Sequence, residues 1–84
     1  MKNILAVLLL LFSLGSLPSF ALEQFDSEQA AQKRCPADVV VWVNLSTGVF
    51  HYQGQRWYGR TKNGAFVCKR EAVSEGDRAT RNGQ

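Results

Sequence analysis

The chain has 84 residues, which is enough for one small domain and excludes a second one. Ten lysines and arginines stand against seven acidic residues, so the net charge of +3 is mild. A single histidine excludes a histidine-rich metal site, and the chain has no internal repeat or low-complexity tract.

Residues 1–21 have the three parts of a secretory signal peptide: a basic start at Lys2, an apolar run over residues 4–12, and a small-residue end. Pro18 breaks a helix just before the small-x-small pattern, so we predict cleavage after Ala21. The alternative is an uncleaved membrane anchor, but a span needs about 20 apolar residues and this run is about half as long. We therefore expect a periplasmic or secreted protein with no stable membrane anchor after cleavage.

Charge is distributed unevenly along the chain that remains after cleavage. Residues 22–50 carry two basic and four acidic side chains, whereas residues 51–84 carry seven basic and three acidic ones. A basic half attracts polyanions, although mixed charge on a soluble surface is the more common explanation.

The two cysteines, Cys35 and Cys68, are best explained in an oxidising compartment as one disulfide. A mature chain of about 63 residues buries only about 60% of its unfolded surface and is marginally stable without such help. The bridge would contribute roughly 3 to 4 kcal/mol in the chain-entropy model. Two free thiols or two metal ligands are the alternatives, and neither fits export well.

Residues 22–34 form a polar leader with scattered apolar side chains and no strand pattern. The leader is either mobile or forms a short helix with Ser27 as its cap, and Pro36 ends any helix there. Residues 35–84 are predicted to form the folded domain.

Residues 39–43 are β-branched or aromatic throughout, which predicts a core strand that is buried on both faces or nearly so. Turn residues at 45–48 separate it from a second strand at residues 49–52. We therefore expect these two strands to form an antiparallel hairpin.

A second hairpin is predicted further along the chain. Residues 56–58 form an extended piece and residues 65–68 a last strand, and between them the pair Asn63 and Gly64 favours a tight turn with positive φ.

Residues 69–75 contain helix formers, with Ala72 and Val73 as apolar contacts and Gly76 placed to end the helix. The tail, residues 77–84, is expected to lie on the surface or to fray. These elements together predict an α+β fold: a small antiparallel sheet of three to four strands, one short C-terminal helix and one disulfide.

We find no catalytic signature. His51 lies between aromatic neighbours on a strand, which is typical of a structural histidine, and no local pattern marks a serine or threonine as a nucleophile. Glu71 and Glu75 have the spacing of a solvated helical face rather than of a catalytic pair. We expect no enzymatic activity, no metal and no cofactor, since an enzyme would need a pocket around His51.

The segment of residues 56–62 combines basic and aromatic side chains and is the strongest candidate for binding. Such residues neutralise phosphate while stacking on bases or sugars. The alternative is that the aromatics build the core and arginine stems cover them, so an exposed aromatic would favour binding. The candidate binding residues are Arg56, Trp57, Tyr58, Arg60 and Lys62.

Five motifs carry a family resemblance over most of the mature chain: Trp42-Val43-Asn44, Gly48-Val49-Phe50-His51, residues 56–64, Cys68 and residues 76–80. In this pattern the chain resembles a family of small exported bacterial proteins of uncharacterised function. The resemblance implies export and does not indicate a partner.

A more distant similarity rests on Phe50-His51, Glu71-Ala72 and Gly76 with Arg78. It is to the zinc-binding domain of Ada-type DNA-repair proteins, which holds zinc with four cysteines and contacts DNA. Three positions of those cysteines fall on Gln55, Thr80 and Gly83, and a tetrahedral zinc site needs four ligands, or three and a water. A shared scaffold would therefore have the disulfide in place of the metal, and DNA binding stays open.

The sequence thus predicts an exported, non-enzymatic structural or interaction module of unknown partner. The alternative is a weak polyanion or nucleic-acid binder that uses residues 56–62 together with the basic tail.

Overall fold

The computed structural model of the protein describes residues 22–84, and the predicted signal peptide lies outside them. The elements in chain order are α1 (Glu28–Arg34), β1 (Val40–Asn44), β2 (Val49–His51), β3 (Gly64–Cys68), α2 (Lys69–Ser74) and β4 (Arg78–Ala79). They form one sheet in the order β3-β1-β2-β4, in which β1 is antiparallel to β2 and β3, and β4 is parallel to β2.

The α+β fold class is confirmed, with one difference at the edge of the sheet, which is mixed and not purely antiparallel. The tail expected on the surface supplies β4, whose Arg78 N–H donates to the Gly48 carbonyl at 2.9 Å. The Thr80 N–H donates to the Phe50 carbonyl at 3.0 Å. These backbone bonds flank the strand and hold it against β2, and two residues are too short a stretch to show a strand pattern.

β1 lies in the middle of the sheet because its β-branched residues bury on both faces. Val41 and Val43 point to the inner face, which α2 covers. The other inner-face core residues are Phe50, Ala65, Val67 and Ala72. Val40, on the opposite face, is also buried, so burial on both faces is confirmed for residues 40–43, whereas Val39 precedes the strand and is 51% exposed.

The outer face of the sheet carries Trp42, which lies opposite His51 of β2 and Phe66 of β3. The rings of Trp42 and Phe66 meet edge to face, with centroids 4.9 Å apart. This face is covered by α1 and by the basic loop, residues 52–63. The loop takes the place of the predicted second hairpin.

The predicted second hairpin is wrong in two respects. Residues 56–58 form turns and not an extended piece. Gly64 is no turn residue: it is the first residue of β3, pairs with Asn44, and is not among the positive-φ glycines. A glycine is needed there because a Cβ would lie 2.3 Å from Cζ2 of Trp42.

The disulfide between Cys35 and Cys68 is confirmed, with a Cα–Cα distance of 6.1 Å. It joins the residue after α1 to the last residue of β3. The leader forms the short helix, whose cap Ser27 accepts from the Ala30 N–H at 3.1 Å, and Ala31 is fully buried. The bridge therefore fastens α1 to the outer face of the sheet.

α2 buries Ala72 as expected and ends before Gly76, which has a φ of +94°. Val73 was expected to make an apolar contact, but it is 54% exposed because α2 turns only one narrow stripe toward the sheet. The first turn of α2 is capped from a distance, since the Arg70 N–H donates to Asp38 at 2.9 Å.

We expect Gly64→Ala to lower the free energy of unfolding by about 1 to 3 kcal/mol, the usual cost of overpacking, because the new methyl group would displace the Trp42 indole. Urea unfolding of the variant and the wild type measures this. Gly54→Ala is the control, since a Cβ at Gly54 meets nothing within 4 Å and only the cost of its φ of +92° remains. A Gly64→Ala variant as stable as wild type would contradict the contact.

A second prediction concerns the pH dependence of folding stability and rests on Asp77. Burial raises the pKa of its carboxyl above the ordinary value of 3.8, and the charge of Glu75 raises it further. The folded state therefore holds this proton more tightly than the unfolded state, so the associated stability is present below pH 3.8 and is lost as pH rises through the folded pKa. At neutral pH the ionised Asp77 destabilises the fold.

Asp77→Asn should therefore raise Tm at pH 7 and leave it unchanged at pH 3, as measured by thermal unfolding at both values. Asp26→Asn, at an exposed carboxyl, controls for the change in net charge. An equal effect of Asp77→Asn at both pH values would rule out the raised pKa as its cause.

Candidate functional site

A groove of about 450 Å³ lies between the outer face of the β1–β2 hairpin and the basic loop. The hairpin contributes Asn44, Thr47, Val49 and His51, and the loop contributes Trp57, Arg60, Thr61 and Lys62. Three of the five predicted binding residues, Trp57, Arg60 and Lys62, therefore line a single groove. Arg56 and Tyr58 lie beside it on the same loop.

Two hydrogen bonds hold the basic loop over the hairpin. The Trp42 Nε1–H donates to Thr61 Oγ1 at 2.7 Å, and the Leu45 N–H donates to the Asn63 carbonyl at 2.7 Å. Alternation along β2 turns Phe50 to the inner face and His51 to the outer one. The outward-facing side chains of the hairpin thus form the floor of the groove. The hydrogen bond from Trp42 to Thr61 holds the loop that forms the opposite wall.

The positive charge of the groove is uncompensated. No Asp or Glu is among the residues that line it. Within residues 22–84 the ion pairs are those of Arg34 with Glu23 and with Glu71, each at 3.1 Å, and neither involves the basic loop. The groove is therefore suited to an anion.

Trp57 and Tyr58 have different environments although they are neighbours. Trp57 is 39% exposed, and the Arg56 guanidinium lies 4.9 Å from its ring centroid. Tyr58 is half-buried, packs edge to face on Phe66 with centroids 5.4 Å apart, and donates its hydroxyl to Glu28 of α1. Trp57 is thus available to a ligand, whereas Tyr58 packs on Phe66 and is tied to α1.

The surroundings of Tyr58 keep its hydroxyl protonated, so that it donates a hydrogen bond. Burial raises the pKa of its hydroxyl well above the ordinary value near 10, and the hydrogen bond to Glu28 and the charge of that carboxylate raise it further. The protonated hydroxyl ties the basic loop to α1.

His51 is the groove residue that sequence reasoning set aside. It is only 6% exposed, and its Nδ1 has no hydrogen-bond partner among the described residues. Most buried polar side-chain atoms have such a partner. The Phe50-His51 alternation indicated its face, but only the position of the basic loop places it in a groove.

Within residues 22–84, no three side chains of the metal-ligating types converge on one point, and neither helix has the length and apolarity needed to cross a bilayer. Comparison of the chain with protein-family models, curated proteins and solved structures gave no match. The family pattern and the distant zinc-domain similarity stay predictions.

Tyr58→Phe should lower the free energy of unfolding by about 1 kcal/mol, since it removes the hydrogen bond to Glu28. Trp57→Phe, one residue away, should change it by less than about 0.5 kcal/mol because that side chain is exposed. Urea unfolding at pH 8 compares the two variants with wild type.

The advantage of wild type over Tyr58→Phe should also shrink with alkali. A hydroxyl with a raised folded pKa contributes stability that is present below the unfolded value near 10 and is lost as pH rises through the folded value. If Trp57→Phe proved the more destabilising variant, the division between a structural Tyr58 and an available Trp57 would be wrong.

Proposed function

We propose that the protein is an exported, non-enzymatic binding module, that its partner is a polyanion, and that the groove and the basic loop form the contact surface. The observation that carries this proposal is the joint lining of one groove by Arg60, Lys62 and the exposed Trp57, with no acidic lining residue. Such a groove concentrates anions at its surface.

Charge along the chain supports the same surface. The basic loop lies in the half of the chain that has seven basic and three acidic residues. Arg56, whose guanidinium stacks on Trp57, extends the positive surface beyond the groove. A linear polyanion could therefore contact three cations of one loop without any rearrangement of the sheet.

Export to the periplasm or beyond the cell is part of the proposal. It is supported by the signal-like pattern of residues 1–21 and by the Cys35–Cys68 disulfide, which is compatible with an oxidising compartment.

A binding role is favoured over catalysis by the composition of the groove. His51 is its one candidate general base, and the two hydroxyl oxygens of the groove, those of Thr47 and Thr61, already accept hydrogen bonds from Val49 and Trp42. No carboxylate lines the groove to orient the histidine. Nucleophilic catalysis needs a nucleophile within reach of such a base and a group that orients the base.

The test is retention on a phosphocellulose column. We expect the protein to bind at low salt and to elute as salt rises, because cationic contacts release counterions. Arg60→Gln/Lys62→Gln should elute at distinctly lower salt, and the slope of log affinity against log salt should fall by about one for each contact removed.

The matched control is Lys33→Gln/Arg70→Gln, which removes the same charge from exposed sites on α1 and α2. This control should elute close to wild type. No retention at low salt, or an equal shift in both double variants, would refute a specific cationic surface.

A further inference from the structure

The neutral polar side chains of the groove face a ligand mainly as hydrogen-bond donors. Thr47 Oγ1 accepts from the Val49 N–H at 3.2 Å, and Thr61 Oγ1 accepts from Trp42 at 2.7 Å. Their hydroxyl protons stay free to donate. The Asn44 Oδ1 likewise accepts from the Ser46 N–H at 3.0 Å, which leaves its NH₂ as a donor. With the two cations, these groups select a ligand rich in acceptor oxygens.

A single aromatic platform narrows the class of that ligand. Trp57, which is 39% exposed, is the one exposed aromatic among residues 22–84. The other tryptophan, Trp42, is held by Thr61, and Tyr58 packs on Phe66. Single-stranded nucleic acids are bound on successive aromatics that stack successive bases. One platform beside two cations suits one ring that carries one anionic group.

The floor of the groove adds a third recognition element. His51 lines the groove, and its Nδ1 is buried without a partner among the described residues. The nitrogen is enclosed, so a ligand meets the imidazole as a packing surface and not through Nδ1. A volume of about 450 Å³ is that of a small-molecule pocket, large enough for one or two rings.

We infer that this groove binds an acidic sugar unit of an anionic glycan, that is, a sugar ring bearing a carboxylate or a sulfate. The ring stacks on Trp57, the anionic group lies between Arg60 and Lys62, and the opposite edge of the ring packs against His51. This inference rests on the proposed function and names its ligand.

Nuclear magnetic resonance can test it directly, because the chain has one histidine and two tryptophans. The ¹⁵N-labelled protein is titrated with an oligouronate tetrasaccharide, a sulfated tetrasaccharide, a neutral tetrasaccharide of matched ring number, a thymidine tetranucleotide and inorganic polyphosphate. We expect one or both acidic tetrasaccharides to shift the His51 imidazole and Trp57 indole signals in a saturable way. The neutral tetrasaccharide should not.

Variants at Trp57 separate stacking from charge. Trp57→Ala should weaken binding of the acidic tetrasaccharide by about tenfold, the size of one stacking contact, and Trp57→Phe should restore most of it. Polyphosphate affinity should change by less than about threefold, because its phosphates offer no ring to stack.

The outcomes distinguish the two proposals. If polyphosphate binds and the acidic tetrasaccharides leave the His51 and Trp57 signals unchanged, the glycan inference is wrong and the proposed polyanion binding stands. Tighter binding of the tetranucleotide at the same signals would assign the groove to nucleic acid instead. Binding of none of the anionic probes would overturn both.

Discussion

The contact between Trp42 and Gly64 is the constraint on which the outer face of the molecule depends. The indole lies so close to the strand that a Cβ at Gly64 would be 2.3 Å from it, and its edge meets Phe66. From the same position its N–H reaches Thr61 of the basic loop. Because β1 lies between β3 and β2, one side chain thus sets the approach of β3 and the height of the loop above the hairpin. The groove exists because the loop is held at that height.

The same loop is held from two further directions, by Tyr58 through Glu28 of α1 and by the Trp57 N–H, which donates to the Gln84 carbonyl at 2.9 Å. The disulfide fixes α1 in turn, so the anchor of Tyr58 is covalently tied to β3. These restraints act on the backbone of Trp57 and on its neighbour Tyr58, and the Trp57 ring stays exposed. An aromatic presented on a restrained backbone loses little conformational entropy when it binds a ligand.

The structural features that the sequence predicted correctly are those that local patterns determine. The β-branched run around Val41, the cap at Ser27, the stop at Gly76 and the cysteine pair all follow from residue type and spacing. The features that were missed depend on contacts distant in sequence. Gly64 has the same neighbour, Asn63, that would mark a turn, and only Trp42, 22 positions earlier, makes it a strand residue. His51 was not predicted to line the groove for a similar reason, because the loop above it has no strand or helix pattern from which its position follows.

The net charge of the chain does not predict the charge of the groove, because most of the carboxylates make contacts elsewhere in the fold. Four of the seven acidic residues have structural partners: Glu23 and Glu71 pair with Arg34, Glu28 accepts from Tyr58, and Asp38 accepts from the first turn of α2. These contacts position α1 and α2 or tie the basic loop to α1, and none of the four carboxylates lines the groove. Arg60 and Lys62 are consequently left without a nearby countercharge. A mild net charge of +3 therefore coexists with a groove whose charged side chains are all positive. The local arrangement of charge, and not the total, determines which ligands the surface attracts.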